Sequence, residues 1–281
     1  MLRWKCFLGI LLFNAVALAE VITFNESGDF EAPSGVTSVT VYVWGAGGGA
    51  AFNNTAGRPG GGGGAFAARM NVPVTPGSSY DVIVGTGGAV GLNAGAKGGT
   101  SSFVGDAGVN VVAEGGFGAT LTNPGMGGRA AFSVGDLGLI FSGGNGGNGF
   151  VNAGGGGGAA AGTQADGQNG IAGLGVTGGL GGIGAYQGGN FQEYAGVAQA
   201  PGGGGAGVGR WGDLASEGAD GRVVISYESS TDVAYTGQVI TPAMGLSTSG
   251  TVYRPMPPSI NADGKVSFKL YLKPSPAITH L

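Results

Sequence analysis

Apolar and polar residues alternate with a period of two in a few short stretches. These stretches lie on either side of a long middle region that has almost no such pattern. The clearest runs from Val36 to Trp44, with Val39, Val41 and Val43 on one face and Thr40, Tyr42 and Trp44 on the other, which predicts a strand. Both faces are partly apolar, so both are expected to be covered, as in the inner layer of a sandwich. Val21 to Phe24 predicts a short strand before it, with a turn at Asn25 to Asp29, and Asp220 to Tyr227 predicts a closing strand far downstream. The first and last of these bracket the middle of the chain, and bracketing implies that they pair.

Further strands are predicted inside this frame. Ala65 to Val72 and Ser79 to Val84, joined by the Pro76-Gly77 turn, read as a hairpin-like pair. Ser102 to Val104 and Val109 to Ala113 read as a second pair around Gly105 to Gly108, and short apolar islands follow at Leu137 to Phe141 and Phe191 to Val197. After Ser229 glycine thins out, and three more strands are predicted at Gln238 to Thr241, Thr251 to Arg254 and Lys265 to Lys273, the last reached through the Asp263-Gly264 turn. Lys265, Lys269 and Lys273 share one face of that strand, the pattern of a charged edge guarded against aggregation, or of a patch for an anionic surface.

Composition changes the picture between Gly45 and Gly209. The chain has 67 glycines in 281 residues, concentrated here in runs such as Gly60 to Gly64, Gly154 to Gly158 and Gly202 to Gly205. Glycine loses the most backbone entropy on ordering and buries no side chain. Such a chain therefore either stays a solvated tether or packs backbone against backbone. Collagen is excluded, because the glycine spacing drifts and there are only 12 prolines. The remaining ordered solution is a polyglycine II bundle, with three residues per turn and every hydrogen bond made to a neighbouring segment. The flanking strands would clamp both ends of it.

The order Val39-Thr-Val-Tyr-Val-Trp-Gly-Ala-Gly-Gly49, Gly60 to Ala65, Tyr80 to Gly85 and Gly218 to Tyr227 resembles the bacterial and phage glycine-rich domain family. More distantly it is similar to the glycine-rich extracellular region of the anaplastic lymphoma kinase receptors. The resemblance covers about Val21 to Glu228. It implies an all-β fold: a β-sandwich, tumour-necrosis-factor-like or jelly-roll-like, carrying a polyglycine II bundle, with a small β segment after it. In the receptors such a domain binds protein ligands. This chain lacks their cysteines, membrane span and kinase, so neither signalling nor any binding residue carries over.

Residues 1 to 19 read as a secretory signal: Arg3 and Lys5, an apolar run from Cys6 to Leu18, and a small-residue cleavage site at Ala17-Leu-Ala19. The expected organisation is therefore a signal peptide over 1–19, a glycine-rich β domain over 20–228 and a small β-rich segment over 229–281. Cleavage removes Arg3 and Lys5 from the 12 basic residues, leaving 10 against 16 acidic, a net charge of about −6. A nucleic-acid partner is excluded on that balance. The single cysteine, Cys6, leaves with the signal, so no disulfide is expected. The mature chain is expected to carry no membrane span, and to be secreted or held at a cell surface.

Catalytic patterns are missing. The sole histidine, His280, is next to the last residue, and neither a zinc-ligand cluster nor a nucleophile elbow is present. Asp213, Glu217 and Asp220 lie close together, and Asp81, Asp106 and Glu114 are scattered; turn capping or solvation accounts for each. No enzyme, cofactor or metal is expected. Asn25-Glu-Ser27 and Asn53-Asn-Thr55 are glycosylation acceptors if the host is a eukaryote. The one candidate ligand contact is Arg210 with Trp211, a cation and an aromatic ring side by side. The expected function is a secreted, non-enzymatic structural or adhesive protein of a surface or extracellular matrix. Its partners would be proteins or glycans, and homo-oligomers are compatible with it. Ice binding by a lattice face lined with Ala, Thr and Asn is the alternative, as is a phage-type receptor-binding adhesin.

Overall fold

In chain order, the strands before the C-terminal segment are β1 (Leu18–Phe24), β2 (Gly28–Glu31), β3 (Ser38–Trp44), β4 (Ala51–Phe52), β5 (Phe66–Pro73), β6 (Ser79–Ile83), β7 (Gly91–Leu92), β8 (Ser101–Val104), β9 (Asn110–Ala113), β10 (Ile140–Phe141) and β11 (Arg222–Ser229). They come from a computed structural model that describes residues 18–52, 56–174, 180–182, 188–189, 196–209, 215–229, 250–255, 259–260, 266–267 and 270–274.

Two antiparallel sheets form an all-β sandwich. One has the order β1-β11-β3-β5-β10 and the other β2-β6-β8-β9. The first and last strands of the domain pair along their length, Glu20 opposite Tyr227 and Phe24 opposite Val223, as the bracketing implied. Val39, Val41 and Val43 point inward with Val223 and Ile225 and meet Phe30, Tyr80, Val82, Phe103 and Val111 of the second sheet. Phe30 sits among Phe103, Tyr80 and Tyr227, with ring centroids 6.0 to 6.5 Å apart. The opposite face of β3 is covered too: Trp44 packs on Phe66 at 4.8 Å and donates its indole N–H to the carbonyl of Ala161 at 3.2 Å. The period-two pattern of β3 thus reports two different cores, one between the sheets where its valines meet the Phe30 cluster and one around Trp44 and Phe66 beneath the glycine body.

One expected pairing is corrected. β5 and β6 are not a hairpin: β5 joins β3 and β10 in one sheet, and β6 joins β2 and β8 in the other. The Pro76-Gly77 turn, with Gly77 at φ 76°, carries the chain across the sandwich instead of back along one sheet. The second expected pair, β8 with β9, is an antiparallel hairpin.

Between Gly45 and Gly221 the chain leaves the sandwich and returns several times, and its backbone bonds sideways. Gly60, Gly61 and Gly62 donate to the carbonyls of Gly147, Gly205 and Phe117 at 3.0, 2.8 and 3.0 Å. Gly63, Gly64 and Ala65 then return to the same three neighbours, at Gly144, Gly202 and Glu114. The acceptors cycle the same way: Gly60 and Gly63 accept from Gly125 and Gly128, Gly61 and Gly64 from Gly158 and Ala161, and Gly62 and Ala65 from Gly48 and Gly45. Partners recur every three residues, and none lies within the segment. This is the bonding that a chain with three residues per turn and no internal hydrogen bonds must make.

The second glycine run repeats the rule: Gly155, Gly158 and Ala161 donate to Arg58, Gly61 and Gly64, while Gly156 and Ala159 donate to Ile171 and Gln168. A Cβ added at any of Gly60 to Gly64 would come closer than 3.0 Å to a neighbour's backbone carbonyl. Glycine is required here because the segments touch main chain to main chain.

The chain divides into two compact units at Ser230 and Thr231. In the second, β12 (Gly250–Pro255) pairs with β15 (Leu270–Pro274), and β13 (Ser259–Ile260) pairs with β14 (Val266–Ser267). The single strand expected over Lys265 to Lys273 is therefore two strands with different partners. Gln238 to Thr241 lies outside the described residues.

Candidate functional site

The lattice has two unlike ends. Gly45, Ala65 and Gly221 adjoin strands of the sandwich, so the turns reached from them by running along the lattice lie at its far end. From Arg58 to Ala65 that distance is roughly 20 Å at about 3.1 Å per residue. The far end gathers several turns. Phe52 pairs with Leu92, Ala94 bridges Thr120, Arg58 donates to the carbonyl of Leu121 at 2.9 Å, and Gly57 donates to Val151 at 3.2 Å.

These turns interrupt the glycine pattern with large apolar residues, and those residues face water. Leu92 is 66% exposed, Phe150 55%, Val151 56% and Leu174 69%. Each loop carries one or two, on a backbone the lattice holds in place. Arg210 and Trp211, the candidate contact pair from the sequence, lie outside the described residues. Gly207 and Ser216, near them in the chain, bond to Gly155 and Ala206 of the lattice.

Of the neighbouring carboxylates Asp213, Glu217 and Asp220, Asp213 lies outside the described residues, while Asp220 accepts from the Gly87 N–H at 2.7 Å, a lattice cap. Asp106 accepts from Thr75 Oγ1 and Tyr80 Oη at 2.7 and 2.9 Å, and Asp81 stands opposite Asp29 across the β2–β6 pair.

Glu114 is the residue that the sequence reading undervalued. It follows β9 directly, where the chain passes from sandwich to lattice, and is 6% exposed. Its Oε1 accepts from Lys97 Nζ and Arg129 Nη2, both at 2.8 Å, and its Oε2 accepts from the Arg129 Nε and backbone N–H at 3.0 and 2.9 Å. Both cations lie against aromatic rings: Lys97 Nζ is 4.2 Å from the Phe117 centroid, and the Arg129 guanidinium is 4.9 Å from Phe117 and 3.7 Å from Phe132. Each partner is on a different lattice segment, so no local spacing announces the cluster.

Burial pushes the Glu114 carboxyl up, but hydrogen bonds from Arg129 and Lys97 outweigh it and hold the group at about 2, below its ordinary 4.5. A carboxyl whose folded value is lowered contributes its stability above the unfolded value and loses it as pH falls through the folded one. The window is therefore pH 4.5 down to about 2, and the loss is about 3 kcal/mol. Urea midpoints measured across that window should fall more steeply for the wild type than for E114Q. Equal slopes would mean that the folded protein does not lower the Glu114 carboxyl below its ordinary value.

A two-sheet sandwich that extends laterally bonded glycine segments with apolar turns at their far end is the architecture of a glycine-rich β protein. The family model described as the glycine-rich domain matches residues 23–228, and the chain belongs to that family. No curated protein matches the chain. Among the described residues, no helix is long and apolar enough to cross a membrane.

Proposed function

We propose that this chain is a secreted, non-enzymatic structural or adhesive protein of a cell surface or matrix, whose polyglycine II lattice is a rigid arm displaying binding loops. The observation that carries this reading is the contrast between the two components of the far end. The backbone is locked by hydrogen bonds recurring every three residues, yet the turns it holds expose Leu92, Phe150, Val151 and Leu174 to water. A fixed backbone loses little entropy when such side chains dock on a partner, so a small apolar area suffices for binding. Exposed apolar clusters of this kind mark interaction sites in soluble proteins. Cleavage after Ala19 would take Leu18 and Ala19 from the start of β1 and keep Glu20, whose carboxylate accepts from Tyr227 Oη at 2.8 Å and ties the first strand to the last.

The ice-binding alternative requires a repeating flat face. Exposed positions three apart include Thr86 and Ala89, Ala94 and Lys97, Asn123 and Met126, Asn145 and Asn148, and Gln168, Ile171 and Leu174, a mixture of charge and size that weighs against it.

The test replaces Leu92, Phe150 and Val151 together with serine and measures binding of the labelled protein to a panel of intact cells and immobilised glycans. Binding should fall at least about 10-fold while the thermal midpoint moves by no more than a few degrees, because exposed side chains contribute little to folding. Binding that is unchanged would remove the far end as the adhesive surface.

A further inference from the structure

The cluster around Glu114 holds more than folding requires. A single bidentate arginine is enough to neutralise a buried carboxylate, and Arg129 already does this through Nε and Nη2. Lys97 adds a second cation to the same Oε1, so the cluster carries a net positive charge on a protein whose overall balance is acidic. The side chains of Lys97 and Arg129 are each 41% exposed, and their remaining donors have no partner among the described residues. Phe132, stacked on the guanidinium at 3.7 Å, turns the rest of its ring to water at 60% exposure. Because both cations converge on one carboxylate oxygen, a single incoming anion can reach both.

We propose that Lys97, Arg129, Phe117 and Phe132 form a binding site for the carboxylate or sulfate groups of an acidic polysaccharide. The site is on the flank of the lattice near the sandwich and is separate from the apolar turns at the far end. The anion takes the outward donors of Lys97 and Arg129, and a sugar ring lies against the exposed face of Phe132, where aromatic surface and polar rim suit an amphipathic partner. Glu114 and the two rings fix the guanidinium in advance. Arginine's planar fork therefore meets the anion with little further ordering.

The experiment titrates the full chain with polygalacturonate oligosaccharides and, separately, with heparin-derived oligosaccharides, using neutral dextran as the control. The wild type should bind at least one acidic probe and not dextran, with binding that weakens as salt is raised. Preference between the two probes assigns carboxylate or sulfate as the group recognised. K97Q and F132A should each weaken binding at least about 5-fold while keeping the wild-type thermal midpoint within a few degrees, and the serine variant of Leu92, Phe150 and Val151 should bind the acidic probe as the wild type does. The proposal is overturned if neither acidic probe binds, if dextran binds equally, if K97Q and F132A bind like the wild type, or if only the far-end variant loses binding.

Discussion

Replacing Gly63 with alanine should cost about 4 kcal/mol of stability and lower the urea midpoint of the purified protein sharply. Gly63 donates to the carbonyl of Gly144 and accepts from Gly128, both at 2.8 Å, and an added Cβ would meet the carbonyl of Ala159 at clash distance. That atom is main chain with its own partner, so no side-chain rotation relieves the overlap. The two segments must separate. Overpacking alone costs about 1 to 3 kcal/mol, and the hydrogen bonds broken by separation leave buried backbone groups at about 1 to 3 kcal/mol each. Against a typical total of about 5 to 15 kcal/mol, this is a large share. The comparison is Gly28→Ala in β2, where the nearest atom would be 3.9 Å away, an ordinary contact; its effect should stay within about 0.5 kcal/mol. Urea denaturation of both variants decides the matter. Equal losses would show that the glycines are tolerated filler, not a requirement of close approach.

The second large effect is expected from Arg129→Met, which keeps most of the aliphatic stem and removes the charge. The Glu114 carboxylate would remain buried with Lys97 alone, and breaking one side of a buried ion pair costs about 3 to 5 kcal/mol. Because Arg129 is half exposed, the lower end of that range applies. The penalty has a pH signature that a lost packing contact would not have. Once pH falls below the Glu114 window, the carboxyl is neutral in both proteins, and the gap between wild type and variant should close. A gap that is the same near pH 7 and near pH 2 would assign the loss to packing of the guanidinium on Phe117 and Phe132.

Much of the sandwich was legible because β-strands write themselves in alternation. Val39, Val41 and Val43 against Tyr42 and Trp44 marked β3 and the need for cover on both its faces, and the pairing of β1 with β11 followed from their positions at either end of the domain. Sheet membership was less legible. Nothing in Pro76-Gly77 distinguishes a turn that folds back within a sheet from one that crosses to the other, so β5 and β6 read as a pair although they belong to different layers.

The lattice posed a different difficulty. Glycine carries no side-chain pattern, and the sequence of Gly60 to Gly64 cannot say which neighbour each N–H will meet; only the three-residue cycle in space supplies that. Glu114 was hidden for a related reason. Its partners, Lys97 and Arg129, come from segments brought alongside by the lattice, and their convergence leaves no spacing signature. The apolar turns were visible only as isolated interruptions such as Phe150-Val151 and Leu92. They gain meaning when the topology places them together at one end.

The central claim, that glycine segments bonded side by side make a solid arm, is tested most directly by native-state amide hydrogen exchange at Gly60 to Gly64 and Gly155 to Gly158. A lattice in which each of these N–H groups is buried and bonded predicts protection approaching that of Val41 and Val43 in the sandwich core, with the exposed turn at Phe150 and Val151 exchanging much sooner. Exchange of the glycine amides at the rate of an unstructured chain, with the sandwich still protected, would contradict it.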